Sequence, residues 1–247
     1  MTNLIPNHSF EFGWDDIVVN STRNHKPYFW NIEWLLPGQD LLSKIEYTGE
    51  DEAPRFTQAV VIPECVIKES RYLPPNEQTG GENALILDGL QCYKVFASQP
   101  FSATLKQSIT TTQNKHVKLT VPIQVHSHGD GTVGAAVFKI KCNGVSSKWF
   151  TFGDFEDRAW FYPSIVSQSD NYGNIAIEII MEGRAFHIDF FLDNLTLEYV
   201  EIPDNEGKPR EQYPRKYYVL PQNSTLRKPE KHDLQLDGLM MMLVLVR

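Results

Sequence analysis

The chain has 247 residues, 41% of them hydrophobic and 12% aromatic, and carries a formal net charge of −8. That is enough apolar material for one large or two small cores. The acidic balance, with Lys and Arg scattered, argues against a nucleic-acid binder, which needs a basic face. Cys65, Cys92 and Cys142 are widely spaced with no CxxC pair, which excludes a zinc ribbon or dithiol redox motif. Cys142 continues the apolar set Phe138, Ile140 and reads as a reduced core thiol.

Taken in order, Leu4 to Phe12 reads as a first strand, with a turn at Gly13 and Ile17 to Val19 beyond it. Residues 20–55 are irregular and rich in aromatics, and Glu50, Asp51 and Glu52 mark an exposed loop. Phe56 to Ile67 is strand-like but contains Pro63, which cannot donate to a ladder and so predicts an edge position. Pro74 to Gly81 is a loop by its turn residues, and Ala84 to Leu87 a short strand. Ala103 to Ile109 alternates. Val117, Leu119, Val121, Ile123 and Val125 fall on one face of a single strand, which a tight turn at His128–Gly131 pairs with Val133 to Cys142 as a hairpin. Trp149 to Phe152, Ala159 to Gln168, a turn at Asp170–Gly173 and the set Ile175, Ile177, Ile179, Met181 follow.

Gly183 to Val200 is the most informative stretch, because its alternating apolar run encloses Asp193. A buried carboxylate needs a partner, and the expected one lies near Asn3 to Glu11, so that the two ends of one domain meet. About ten strands with almost no helical period predict an all-β fold, a β-sandwich or jelly roll. Composition shifts after Glu201, which places the domain at 1–202 and a linker and tail at 203–247. The tail's apolar run, Leu239 to Val246, is eight residues long, far short of the roughly 20 that span a bilayer as a helix. No basic stretch followed by an apolar run opens the sequence, so no secretory leader is expected.

These residues carry a resemblance. Asn3-Leu4-Ile5-Pro6-Asn7-His8-Ser9-Phe10-Glu11-Phe12-Gly13-Trp14 resembles the opening strand of jelly-roll carbohydrate-binding modules of the galactose-binding-like superfamily, and Phe191-Leu192-Asp193-Asn194-Leu195-Thr196-Leu197-Glu198 resembles their closing strand. Gly81 to Leu87 and Leu105 to Ile109 match central strands in the same order. The resemblance covers about residues 1–200 and departs from the pattern in a long insertion at 20–75. It implies a structural calcium where the first and last strands meet, with Glu11 and Asp193 as side-chain ligands and backbone carbonyls completing the oxygen shell that calcium takes. Trp14 is assigned to structure.

Sugar recognition rests on flat aromatic faces flanked by polar groups. Tyr28, Trp30, Trp34, Tyr72 and Tyr93 are the candidate ligand-binding residues, with Trp160 a lesser one, and for any single one core packing is the simpler reading. His126-Ser127-His128-Gly129-Asp130-Gly131 departs from the HxHxDH metal motif at Gly131, so a turn explains it better than zinc does. The carboxylates of Asp154 to Asp157 read as a solvated loop, and the N-x-Ser/Thr matches at Asn7, Asn20, Asn194 and Asn223 are common by chance. Catalytic signatures are missing: no G-x-S-x-G elbow, HExxH, phosphate loop or dinucleotide fingerprint occurs, so no enzyme is expected.

The leading expectation is a non-catalytic module that binds a glycan or cell-surface polysaccharide, at a cell exterior or particle surface. The alternative is a structural or adhesion component of a phage or other particle, a decoration, tail or assembly protein of the virion with protein subunits as partners. Fold alone does not choose between them.

Overall fold

Alternation of apolar and polar residues produces the strands, and their register decides which residues reach the core. The computed structural model describes residues 2–19, 22–44, 56–129 and 131–201. The boundary at 202 and the tail lie outside the described residues. In chain order the strands are β1 (Trp14–Val19), β2 (Thr22–Pro27), β3 (Asn31–Trp34), β4 (Glu64–Glu69), β5 (Gln91–Ala97), β6 (Phe101–Thr110), β7 (His116–Thr120) and β8 (Ile123–Ser127). They continue with β9 (Ala136–Cys142), β10 (Val145–Ser146), β11 (Trp160–Phe161), β12 (Ser164–Gln168), β13 (Asn174–Gly183), β14 (Ile188–Leu192) and β15 (Thr196–Tyr199). Among the described residues helix is confined to two short 3₁₀ turns, Ser70–Tyr72 and Pro75–Glu77.

Two five-stranded antiparallel sheets form the sandwich, in the orders β10-β9-β13-β6-β3 and β11-β8-β14-β5-β4. A three-stranded sheet β12-β7-β15 and the β1–β2 hairpin complete it. Leu105, Ile140 and Ile179 of the first sheet share one core with Val95, Val125 and Phe190 of the second. Phe101 meets Phe190 edge-on at 6.1 Å across the interface. This is the expected all-β jelly roll, and β4 holds the expected edge position.

Several boundaries differ from the sequence reading, each for a local reason. Leu4 to Phe12 is a chain of turns, with Asn7 and Phe10 in left-handed backbone at φ 53° and 61°. It still meets the closing strand, because the Leu4 N–H donates to Leu197 O (2.9 Å) and the Asn3 side chain bonds both Leu195 O and the Leu197 N–H. The run Val117 to Val125 breaks at Pro122 into β7 and β8, which belong to different sheets. Consequently β8 and β9 form no hairpin and lie in different sheets. Gly183 to Val200 likewise divides into the end of β13, then β14 and β15, with Asn194 at φ 51° turning the chain into the three-stranded sheet.

Ala84 to Leu87 is not a strand. Its backbone is held by turns, with the Leu85 N–H on Glu77 O, and by side chains from elsewhere. Asp193 Oδ2 accepts the Leu87 and Asp88 N–H groups at 2.6 and 2.9 Å, and Oδ1 accepts that of Asn194 at 2.7 Å. Glu11 Oε1 accepts the Leu90 and Gln91 N–H groups at 2.7 and 2.6 Å. Gly89, between the two pairs, sits at φ +72°, and a Cβ there would lie 2.5 Å from Glu11 Oε1, so only glycine fits.

Glu11 and Asp193 therefore act as two clamps on one loop. Positive N–H ends point at Asp193's two oxygens and at Glu11 Oε1, the arrangement a carboxylate wants and a cation does not. Among the described residues no three His, Cys, Asp or Glu side chains gather to hold a metal. The residues present do not fit the calcium shell that the resemblance implies, because three of the four oxygens of Glu11 and Asp193 already accept backbone N–H groups. Thermal unfolding with calcium and with EDTA is expected to give midpoints within about 1 °C of each other; binding to the folded state alone at 100 times its Kd would add about 2.7 kcal/mol, and a calcium-dependent rise of several degrees would contradict the clamp.

Burial pushes the Asp193 carboxyl from 3.8 up to about 7, against the pull of its three N–H donors. A proton has room on Oδ1, which accepts only from Asn194. Because the folded state then binds the proton more tightly than the unfolded chain, this group's stabilisation is complete below the unfolded value of about 3.9. It is lost as pH rises through about 7. A carbon-13 NMR titration of the Asp193 carboxyl is expected to show a midpoint near 7, and a midpoint near or below 4 would contradict this environment.

Candidate functional site

The candidate aromatics separate by burial. Trp30 and Tyr93 are 3% and 0% exposed, which corrects their assignment as sugar platforms. Both pack on Phe10, whose ring lies 5.3 Å from Tyr93 and 6.0 Å from Trp30. Trp30 Nε1 donates to Asn7 O and the Tyr93 hydroxyl to His25 O, so neither ring has a free face or a free polar end. Trp160 is half-buried, donates to Ala84 O and packs with Leu85, Ile86 and Phe191. Tyr28 is exposed on the turn after β2, and its ring lies against the Gly13 backbone. Tyr72 is 72% exposed on a 3₁₀ turn, with the Arg71 guanidinium 4.7 Å from its ring centre.

Trp34 lines a cleft. It ends β3, half-buried, where the chain leaves the sheet and Leu35 N–H donates to Ser102 O. The cleft of about 170 Å³ is bounded by Glu33, Trp34, Leu42, Thr104, Lys106 and Ile180, among others. Its floor is the outer face of the first sheet. Alternation along β6 and β13 sends Leu105 and Ile179 inward, so Thr104, Lys106, Glu178 and Ile180 must point out.

Register then orders these outward residues in rows across the strands. Lys106 stands opposite Glu178, and Glu178 opposite Lys141. Glu33 stands opposite Thr104, Thr104 opposite Ile180, and Ile180 opposite Lys139. Lys106 Nζ bonds Glu33 Oε2 at 2.6 Å and Lys141 Nζ bonds Glu178 Oε2 at 3.0 Å, giving two ion pairs side by side. Beyond them Lys139 Nζ lies 5.4 Å from the ring centre of Trp149. Trp149 therefore marks one end of this polar row, while Trp34, opposite Ala103, alternates to the core side of β3 and packs in part against the core beside the other end.

The wall opposite the floor is segment 41–43, and a third carboxylate holds it. Glu182, fully buried near the end of β13, accepts the Leu42 N–H on Oε1 at 2.6 Å and the Ser43 N–H on Oε2 at 3.0 Å. A buried charge is tolerated here because charge-assisted bonds to backbone donors replace its hydration.

The other singled-out motifs have structural work. His126 and His128 have ring centres 6.2 Å apart and both Nδ1 atoms face Arg158, at 3.3 and 3.5 Å. Their Nε2 atoms bond Gln124 Oε1 and Asp189 Oδ2, so each ring is engaged at both nitrogens and zinc has no lone pair to take. Burial, with Arg158 beside it, pushes His126 down to about 4. In the acidic loop Asp154 pairs with Lys148 and accepts the Thr151 N–H, while Asp157 accepts the Ser127 N–H. Asn7 is buried with its amide bonded to Tyr28 O and the Phe12 N–H. Asn20 and Asn223 lie outside the described residues.

Sequence reasoning missed Glu33, Lys106, Glu178, Lys141, Trp149 and Glu182. Alternation marks Lys106 and Glu178 as outward, but the register that aligns them across strands is not written in either strand alone.

No family model and no curated protein matches the chain. Solved structures do. A family 61 carbohydrate-binding module in complex with β-1,4-galactotriose aligns at a TM-score of 0.50 with 13% identity, over 81% of this chain and 100% of that one. The CBM22-1 xylan-binding domain of Paenibacillus barcinonensis Xyn10C aligns at 0.38 with 10% identity, over 79% of this chain and 93% of that one. The enzymatically active domain of tailspike protein 4 of bacteriophage CBA120 aligns at 0.42 with 10% identity, over 80% of this chain and 21% of that one. The first of these likenesses shows that the chain has the jelly-roll sandwich fold of carbohydrate-binding modules.

Proposed function

We propose that the chain is a non-catalytic carbohydrate-binding module that takes a glycan chain in the cleft beside Trp34. The observation that carries this reading is a half-buried tryptophan lining a groove floored by paired lysines and glutamates. A sugar hydroxyl donates one hydrogen bond and accepts others, so alternating carboxylate acceptors and ammonium donors suit it without either ion pair breaking. The indole face attracts the slightly positive C–H face of a pyranose, by the same quadrupole that orders aromatic pairs. At about 170 Å³ the cleft is smaller than the roughly 300–1,000 Å³ of pockets that enclose a free ligand. It suits one ring of a longer chain, with the row toward Trp149 available to its neighbours.

A glycosidase sets two carboxyl groups across the scissile bond, one of them as a proton donor. Here Glu33 and Glu178 are each engaged with a lysine ammonium, which favours binding over cleavage. The fold's likeness to a module solved with β-1,4-galactotriose supports a glycan as the ligand class.

Affinity electrophoresis through gels containing β-1,4-galactan, xylan or β-glucan tests the reading. The protein is expected to be retarded by at least one. Trp34→Ala is expected to weaken that binding about tenfold or more, about 1.4 kcal/mol, while Tyr72→Ala leaves it unchanged. Binding unaffected by Trp34→Ala would remove this cleft as the site, and no retardation by any polysaccharide would remove the function. Glu182→Gln turns one acceptor into a donor facing a donor, and is expected to lower stability in urea by about 1.5–3 kcal/mol and to loosen the cleft wall, weakening the same glycan.

A further inference from the structure

Strand β4 lies at an open edge of the second sheet, and the N–H groups of Cys65 and Ile67 point away from β5. Such a row is normally covered, because it invites pairing with another chain. The β1–β2 hairpin covers it without a ladder, since among the described residues β2 pairs its backbone with β1 alone. Two consecutive side chains of β2 reach across instead. Asn24 Oδ1 accepts the Cys65 N–H at 2.6 Å, and His25 Nδ1 accepts the Ile67 N–H at 2.9 Å.

The two acceptors differ in one respect. An amide oxygen keeps its lone pairs at any ordinary pH, whereas an imidazole nitrogen can be protonated. Accepting at Nδ1 places the ring's proton on Nε2, which faces Asp16 Oδ1 at 3.7 Å, and Trp14 stacks on the ring at 4.8 Å and 18°. We propose that His25 is an acid-released latch on the β4 edge. A proton taken up at Nδ1 turns the acceptor into a donor facing the Ile67 N–H, so that bond is lost and the hairpin is let go at this point.

The groups around the ring set the direction. Burial lowers the His25 pKa from 6.5; Asp16 on β1 and Glu69 on β4 oppose it, while Arg23 on β2 and Lys68 on β4 add to it. The released form therefore binds the proton more readily than the latched one. The latch's contribution is fully present above the ordinary histidine value and is lost as pH falls through the lowered one. Opening stays local, because β3 remains paired with β6 and Trp30 is buried with its indole N–H on Asn7 O. The cleft at Trp34 keeps its floor while the outward N–H groups of β4 become available to an extended strand.

Amide hydrogen exchange read by NMR on the full chain tests the latch. Ile67 protection, corrected for the intrinsic rate, is expected to fall about tenfold or more between about pH 7.5 and about pH 5, with core amides such as Val125 unchanged. In His25→Asn the amide oxygen stands as many bonds from the backbone as Nδ1 does, and Ile67 protection is expected to be equal at the two pH values. As a second measurement in the unsubstituted protein, the Ile67 amide shift and the His25 Cε1 shift are expected to titrate with one midpoint. Constant Ile67 protection, an equal fall in His25→Asn, or separate midpoints would overturn the proposal.

Discussion

Backbone N–H groups in segments that form no ladder must still find acceptors, and in this protein side chains anchored elsewhere in the fold supply them. Glu11 takes the Leu90 and Gln91 N–H groups, Asp193 takes those of Leu87, Asp88 and Asn194, and Glu182 takes those of Leu42 and Ser43. Asn24 and His25 do the same for the free edge of β4. Each acceptor replaces the water that an irregular backbone would otherwise need, and leaving such a donor unmet in the interior costs about 1–3 kcal/mol. Long insertions can therefore lie on the sandwich as fixed structure. The cleft wall and the loop over the second sheet both depend on this device.

Sheet register supplies the other half of the site. Because side chains alternate across a strand, the same residues that build the core on one face lay down ordered polar rows on the other. Lys106, Glu178 and Lys141 line up only because β6, β13 and β9 pair in one register, and a slip of one residue would exchange this row for Leu105, Ile179 and Ile140. The burial of those apolar side chains fixes the register, and so fixes the groove.

The fold was legible in the sequence because alternation over β6, β9 and β13 needs no knowledge of partners. The edge position of β4 followed from Pro63, and the meeting of the two chain ends followed from Asp193 needing company. What Asp193 touches was not legible. It lies buried beside a backbone segment 105 residues away, and nothing near it in sequence distinguishes a carboxylate that binds N–H groups from one that binds calcium. Proline at 122 and left-handed Asn194 move strands between sheets, which periodicity alone reads as continuous. Of the aromatic candidates, Trp30 and Tyr93 pack on Phe10, a contact set by tertiary structure that their own neighbours in sequence do not reveal.

In the proposed function a rigid sandwich, a groove wall held by Glu182 and the half-buried Trp34 that lines the groove together take a sugar. The clamps fix the walls, the register fixes the donors and acceptors, and in the proposed reading Trp34 lines the cleft that takes the ring. The most direct measurement is a two-dimensional ¹H–¹⁵N titration of the protein with β-1,4-galactotriose or another oligosaccharide drawn from a polysaccharide that retards it. The account expects the largest shifts at the Trp34 indole N–H and at the amides of Glu33, Thr104, Lys106 and Ile180, with Tyr72 and Leu90 still. Shifts centred on the Tyr72 turn or on the outer face of the second sheet, with the Trp34 cleft silent, would contradict it.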